Sequence, residues 1–243
     1  MSVSVAVPGQ FASLTVLNNF LLSILPANTD VLLTQVNRVA EPSASNFVMV
    51  TPLFQRRMGT NENTYDDCQF VGSIAALVLT VTSVAFGTVT PGRLLYGVGV
   101  AAGTVLGAQL SGTTGGVGTY AVTVSQTLAS VKLAAGVQNL EQPIEYTVQI
   151  DAYGPASADN AAVISTLFRD DYAVAAFAAV SNKMAPISAD DPKQMPLINE
   201  ENQYQARWTF YAVMQVNAVV TVSQQFADQI QETLIPADIF YPA

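Results

Sequence analysis

The 243-residue chain has no histidine, one cysteine and few charged residues, and each scarcity restricts its chemistry. Without histidine there is no Ser–His or Cys–His nucleophile pair, no imidazole general base and no imidazole metal ligand. Cys68 alone forms neither an intramolecular disulfide nor a thiolate zinc site. We therefore expect Cys68 to be a reduced thiol without a chemical role. We also expect a protein that is not an enzyme and has no cofactor.

Charged residues make up 11% of the chain, with 18 acidic side chains against nine basic ones and a net charge of −9. Binding to nucleic acid through phosphate neutralisation requires clustered Lys and Arg, so this balance argues against it. Anchoring to anionic lipid is disfavoured for the same reason. Half of the residues are hydrophobic, enough for a folded core. The first residues lack a positively charged region, so we expect no secretory signal.

The composition changes abruptly at two points in the chain. Residues 68–139 contain twelve of the fifteen glycines and only two charged residues, Arg93 and Lys132. Short runs rich in Val and Thr and interrupted by glycine are typical of strands and turns, which argues against a membrane span over residues 68–92. In this stretch Leu77, Leu79 and Val81 are predicted to share one face of a strand. We expect residues 68–139 to form an inserted all-β domain.

The flanking residues 1–67 and 140–243 combine helix and strand patterns, and we expect them to form one domain. Apolar residues at helical spacing predict a helix from Phe11 to Leu25, and Ser157 is predicted to cap a helix that ends near Phe168. A third helix is expected over residues 171–179, and strands over residues 31–39, 46–51, 144–151 and 207–222. A loop punctuated by prolines is expected near residues 186–196. This order predicts an α+β fold, with helices packed on one antiparallel sheet and interrupted by the all-β insert.

Motifs for cofactors and metals are incomplete. Residues 97–103 (GVGVAAG) approach a dinucleotide-binding fingerprint, but their glycine spacing is wrong and no helix is expected to follow. Three pairs of adjacent aspartates begin at Asp66, Asp170 and Asp190, and none has the spacing of a calcium loop. Capping and solvation explain these pairs, so we expect no metal site.

Four flanking segments resemble a family of tailed-phage neck proteins, the tail-terminator-like proteins of the head–tail junction. They are residues 51–65 (TPLFQRRMGTNENTY), 146–155 (YTVQIDAYGP), 203–208 (QYQARW) and 224–228 (QQFAD). The insert separately resembles a short β module that recurs in phage structural proteins, through residues 87–92 (GTVTPG) and 111–120 (SGTTGGVGTY). The resemblance implies a tail-terminator-like fold for the flanking domain.

The resemblance also implies a structural virion protein, assembled in the host cytoplasm and located in the neck or tail. Such a protein forms a ring, commonly a hexamer, that caps the tail tube and joins it to the head–tail connector. Its implied partners are copies of itself, the tail tube protein and the connector or adaptor protein, with the sheath protein as a further candidate. DNA is expected only as non-specific cargo passing through the ring, and no membrane partner is expected.

Two groups of residues are candidates for these roles. Acids in loops are expected to face the lumen, because attraction to phosphate would hold passing DNA; they are Glu62, Asp66, Asp67, Asp190 and Asp191. Basic and aromatic residues are expected at contacts between subunits, although core packing is the simpler role for a lone tryptophan; they are Arg56, Arg57, Arg207 and Trp208. Two alternatives stay open. One is another structural subunit, of the tube, collar or connector, and the other is a receptor- or carbohydrate-binding module formed by the insert.

Overall fold

The computed structural model describes residue 4 and residues 6–34, 42, 44–195, 197–198 and 204–225. Of the described residues, 57% lie in strands and 18% in three helices. In chain order the elements are α1 (Gln10–Ile24), β1 (Thr29–Leu33), β2 (Asn46–Arg57), β3 (Glu62–Asp66), β4 (Gln69–Phe86), β5 (Tyr96–Gly97), β6 (Leu106–Gly112), β7 (Gly118–Ala134), β8 (Gly136–Tyr153), α2 (Ser157–Phe168), α3 (Asp171–Val180), β9 (Met184–Ala189), β10 (Lys193–Gln194), β11 (Leu197–Ile198), β12 (Tyr204–Gln205) and β13 (Arg207–Gln224).

The predicted α+β class is wrong, because the chain is mostly β and its largest sheet is mixed. Seven strands form that sheet, in the order β1-β2-β8-β13-β10, with β3 also paired to β8 and β9 also paired to β13. Strand β1 runs parallel to β2, whereas β2 and β8 are antiparallel. A four-stranded sheet of β4 to β7 and a two-stranded sheet of β11 and β12 complete the described strands. The strands β4, β8 and β13 are 18 residues each, far longer than alternation alone indicated.

The described chain divides into two compact units. The larger unit comprises the described parts of Val3–Thr64 and Asn139–Thr221, and the smaller comprises Tyr65–Gln138 with residues 222–225. Each unit contains a hydrophobic core of its own. Among the described residues, no helix combines the length and apolar character that crossing a bilayer requires.

The core of the larger unit lies between its three helices and one face of the seven-stranded sheet. Alternate residues of β8, from Tyr146 to Ala152, point into this core, as expected for a strand with one covered face. Pro26 follows α1 closely, and the predicted helix is confirmed. One member of its predicted apolar face, Phe11, is instead exposed, and Phe20 is buried. The helix residues in the core are Leu14, Leu17, Phe20, Leu21, Ala161, Ile164, Phe168, Ala173 and Phe177.

Helix α2 starts differently from the sequence prediction, whereas α3 starts at its predicted residue, Asp171. Ser157 is the first residue of α2 and is buried, so it is not the predicted cap; the N-cap residue is Ala156, whose amide donates to the Asn46 Oδ1 at 2.8 Å. In α3, the Asp170 carboxylate accepts from the Tyr172 amide at 3.0 Å and caps the helix. Helix α3 ends at Val180, one residue beyond its predicted end.

Two further predictions need correction, and others fall outside the described residues. Pro186 lies within β9 rather than in a loop; it pairs with Met214 of β13, next to a bulge at Ile187 of β9. The predicted strand over residues 31–39 is described only as far as β1 and Thr34, because residues 35–39 lie outside the described part. Pro196 and residues 226–228 also lie outside it.

The smaller unit has its own core between β4, β6 and β7. Register shifts interrupt the pairing of β4 with β7, and at the second of them Ala76 has a φ of 55°. Because this bulge changes which side chains face inward, Phe70 and Ile74 are buried before it and Leu79 after it, whereas Leu77 is exposed. The predicted shared face of Leu77 with Leu79 and Val81 is therefore wrong at Leu77.

Candidate functional site

The last residues of β2 extend beyond the part of the strand that pairs with β1. They expose apolar and basic side chains together. Strand β1 pairs only with residues 46–50 of β2, and the register of β2 with β8 shifts between Pro52 and Phe54. Beyond residue 50, no described strand pairs with the outer edge of β2. We call residues 53–58 the β2 arm. Its exposed apolar members are Leu53, Phe54 and Met58.

The predicted interface residues Arg56 and Arg57 lie in the β2 arm. The Arg56 Nε is 3.3 Å from the Glu145 carboxylate, in a pair whose arginine side chain is 74% exposed. An exposed pair of this kind stabilises a protein little, because water and salt screen it. The Arg57 guanidinium donates to the Asn61 amide oxygen at 2.8 Å and has no carboxylate partner among the described residues. The arm therefore presents positive charge to solvent.

Arg207, also predicted at an interface, is instead engaged within the chain. Its Nε and one terminal nitrogen donate to the same Asp151 oxygen at 3.0 and 2.8 Å, and the Asp151 side chain is only 5% exposed. The Gln149 amide donates to both oxygens of that carboxylate. The guanidinium also lies over the Tyr153 ring, 5.7 Å from its centroid, and that ring stacks on Phe47. Arg207 thus compensates a buried carboxylate in its own subunit.

Trp208 packs at the margin of the larger unit's core and is half-buried. This position matches the core-packing role considered for a lone tryptophan. Its indole reports on the folding of this unit, since it is the only tryptophan in the chain.

Two of the predicted lumen residues, Asp190 and Asp191, follow β9 and line a cavity of about 290 Å³. Asp191 accepts from Arg169 at 2.9 Å, whereas the Asp190 carboxylate has no side-chain partner in the described part of the chain. Met195 and Tyr211 supply apolar surface to the same cavity. Lys193 and Arg207 also line the cavity, so charges of both signs meet there.

The other three lumen candidates lie on or beside β3. Glu62 and Asp66 are exposed, but Asp66 is bound by Arg93, which donates to its carboxylate and, at 2.9 Å, to its backbone carbonyl. One oxygen of Asp67 is buried and has no hydrogen-bond partner among the described residues. Burial raises the pKa of the Asp67 carboxyl, the neighbouring Asp66 charge raises it further, and Arg93 opposes both. Glu62 is thus the least compensated acid of the three.

Cys68 is fully buried next to this group, and burial raises the pKa of its thiol to about 11. The thiol is therefore protonated at neutral pH, and we expect a thiol-specific disulfide reagent at pH 8 to label Cys68 only after denaturation. Because the pKa of a free thiol is about 9.0, the stability that the protonated thiol contributes is complete below pH 9 and is lost as the pH rises to about 11. Rapid labelling of the native protein would contradict this burial.

A surface that the sequence analysis missed is the outside of α2 and α3. We call the exposed residues of these two helices the outer helix face. Its apolar members include Val163, Val174 and Val180, which are 40–63% exposed. Neither helix contains a basic residue, and both have an aspartate in the first turn, Asp159 and Asp171. The sequence of α3 (DYAVAAFAAV) is apolar on all sides, and a helix of this type is usually covered on all sides.

The described residues show no metal-binding cluster. No group of three His, Cys, Asp or Glu side chains among them converges to hold a metal ion. What the described surface offers is a positive apolar arm, a negative apolar helix face and a small cavity lined by charges of both signs.

Comparison with protein families identifies a relationship. A family model described as phage neck terminator protein matches residues 110–238, which is more than half of the chain and spans β7 to β13. No curated protein matches the chain.

Proposed function

The chain belongs to the phage neck terminator protein family, and from that premise we propose that its copies form a closed ring that ends the tail tube and joins it to the head–tail connector. The family is a structural one, so the chain is a virion protein of the neck that interacts with other head or tail proteins. Closure into a ring of six is the proposed arrangement, because the family resemblance implies a hexamer and heterologous contacts can close into a ring. The family match over residues 110–238 is the observation that carries this proposal.

The surface of the described chain supports extensive contact between subunits. Charged residues make up only 11% of the sequence, and the centres of protein interfaces are depleted of charge. Large apolar side chains are exposed on the β2 arm and on the outer helix face. Exposed apolar surface of this kind marks sites of protein contact when it is contiguous.

Native mass spectrometry of the full-length protein tests ring formation. At micromolar concentration we expect one closed species of six copies, without a ladder of larger assemblies, because a closed ring leaves no free contact surface. A protein that stays monomeric at high micromolar concentration, with and without its tail proteins, would contradict the proposal.

We further propose that acids line the passage for DNA. With a net charge of −9 per subunit, a ring of six would carry roughly fifty negative charges, and an acidic passage does not retain phosphate. Glu62 and Asp190 are the candidates without a basic partner among the described residues, whereas Asp66 and Asp191 are paired with arginines. Glu62→Lys with Asp190→Lys should slow DNA ejection from particles that assemble normally. Unchanged ejection rates would remove these two acids from the passage.

No observation favours a carbohydrate-binding role for the insert. Sugars stack on exposed aromatic rings. Phe70 and Tyr120 are buried in the core of the smaller unit, Tyr96 is half-buried, and Phe86 alone of the insert's four aromatic residues is largely exposed, so the insert presents no group of exposed rings. Electron microscopy of the protein with tail tubes distinguishes the terminator role from the role of a tube, collar or connector subunit.

We also propose that most of the predicted 68–139 domain, residues 69–134, can be removed, while residues 136–139 stay as the start of β8. Gln69 is paired with Ala134, and the Ala135 amide donates to the Cys68 carbonyl at 2.9 Å, so the two ends of the segment are neighbours in an antiparallel pair. Deleting residues 69–134, joining the ends by Asn-Gly and replacing the newly exposed Cys68 by serine should leave a folded protein. We expect it to retain helical circular dichroism and cooperative unfolding. If it is insoluble and residues 65–138 alone also fail to fold, the two-domain organisation is wrong.

A further inference from the structure

We infer that the β2 arm of one subunit docks on the outer helix face of α2 and α3 in the next copy of this chain. The inference rests on the proposed ring and names the two surfaces that close it. Both surfaces combine exposed apolar side chains with charge, and their charges are opposite.

The β2 arm supplies the positive partner. Leu53, Phe54 and Met58 are 42–57% exposed and flank Arg56 and Arg57. The paired positions Phe54↔Thr147 and Arg57↔Ile144 show that the arm continues the ladder with β8, so its backbone is fixed. A fixed arm is a favourable docking element, because little conformational entropy is lost when it binds.

The outer helix face supplies the negative partner. Asp159 and Asp171 have no side-chain partner in the described part of the chain, and Asp170 caps α3. The basic residue next to these acids, Arg169, is engaged by Asp191. The surface between the acids is formed by exposed alanines and valines of the two helices, among them Val163 and Val174.

The two surfaces belong to different elements of the larger unit. The arm belongs to β2, which is followed across the sheet by β8, β13 and β9. Helices α2 and α3 pack beside β9, whereas α1 packs beside β1. A contact between two different surfaces of successive copies is head-to-tail, and such contacts generate closed rings when the rotation between copies closes.

Charge also argues against symmetric pairing of either surface with itself. Two arms in contact would bring four arginines together, and two helix faces would bring six aspartates together. Like charges across an interface cost affinity, so each surface favours the other.

Two charge-reversal variants test this contact. The arm variant carries Arg56→Glu and Arg57→Glu, and the helix variant carries Asp159→Lys and Asp171→Lys. Each alone should assemble at least about tenfold more weakly than the unmodified protein in native mass spectrometry, because each opposes like charges. An equimolar mixture of the two should form rings again, since the arm of each variant then meets the helix face of the other with opposite charge. Lys193→Glu, an exposed reversal outside both surfaces, should assemble normally.

The outcomes separate this inference from the proposed ring. If the unmodified protein forms rings and both variants form them equally well, the ring stands and the contact is wrong. The same holds if both variants lose assembly and the mixture does not recover it. If the unmodified protein forms no rings, the proposed function fails and this contact with it. Thermal unfolding checks that each variant is folded. Where a charge reversal disturbs folding, Arg57→Gln and Asp171→Asn are milder substitutions, and each alone is expected to weaken assembly.

Discussion

Replacing Phe20 by alanine should lower the free energy of unfolding of the larger unit by about 4 kcal/mol. Phe20 is 4% exposed in α1, and its ring makes edge contacts with Phe168 and Phe177 at centroid distances of 6.1 and 5.6 Å. Alanine would leave a cavity at the junction of all three helices, because the two partner rings cannot collapse into it fully. Urea unfolding followed by Trp208 fluorescence measures the loss in this unit.

Phe11→Ala is the matched control, since it makes the same substitution in the same helix. The Phe11 side chain is 75% exposed, so its removal should change the free energy of unfolding by less than about 0.5 kcal/mol. Equal losses at the two positions would contradict the packing of α1.

The second large effect is expected at the buried ion pair. Replacing Arg207 by methionine should destabilise the larger unit by about 3–5 kcal/mol, because it leaves the Asp151 carboxylate buried without a compensating charge. The substitution also removes the contact of the guanidinium with the Tyr153 ring. The same fluorescence-detected urea unfolding measures this loss.

Two control substitutions distinguish the buried pair of Arg207 and Asp151 from an exposed ion pair. Adding Asp151→Asn to the Arg207→Met variant should recover most of the stability, because no buried charge is then left unpaired. Glu145→Ala breaks the exposed pair with Arg56 and should cost less than about 1 kcal/mol. If Arg207→Met costs no more than Glu145→Ala, Asp151 is not buried as described.

Helix positions could be predicted from the sequence, because apolar spacing and proline act locally. The predicted helices correspond to α1, α2 and α3 within a few residues. Which side chains of a helix are buried was less predictable, as Phe11 and Phe20 show, because burial depends on the neighbouring elements. The fold class was wrong because long strands such as β4 contain bulges that interrupt alternation, and no local pattern specifies the parallel pairing of β1 with β2.

The types of residue at the candidate site could be predicted from the sequence. Their partners in ion pairs within the chain were less predictable. Arg56 and Arg57 were predicted at contacts between subunits, and they lie exposed in the β2 arm. Arg207 pairs with Asp151, 56 residues away in the chain, and Arg93 pairs with Asp66, 27 residues away. Sequence spacing does not predict ion pairs at these separations. The outer helix face was missed, although the uniformly apolar sequence of α3 was a usable signal.

Electron microscopy of the purified protein mixed with tail tubes of its phage tests the terminator role most directly. A terminator should appear as a single closed ring at one end of each tube, and tubes bearing it should not lengthen when more tube protein is added. The predicted result follows from head-to-tail contacts that close on themselves. Open-ended stacks of the protein, or tubes that keep growing in its presence, would contradict the account.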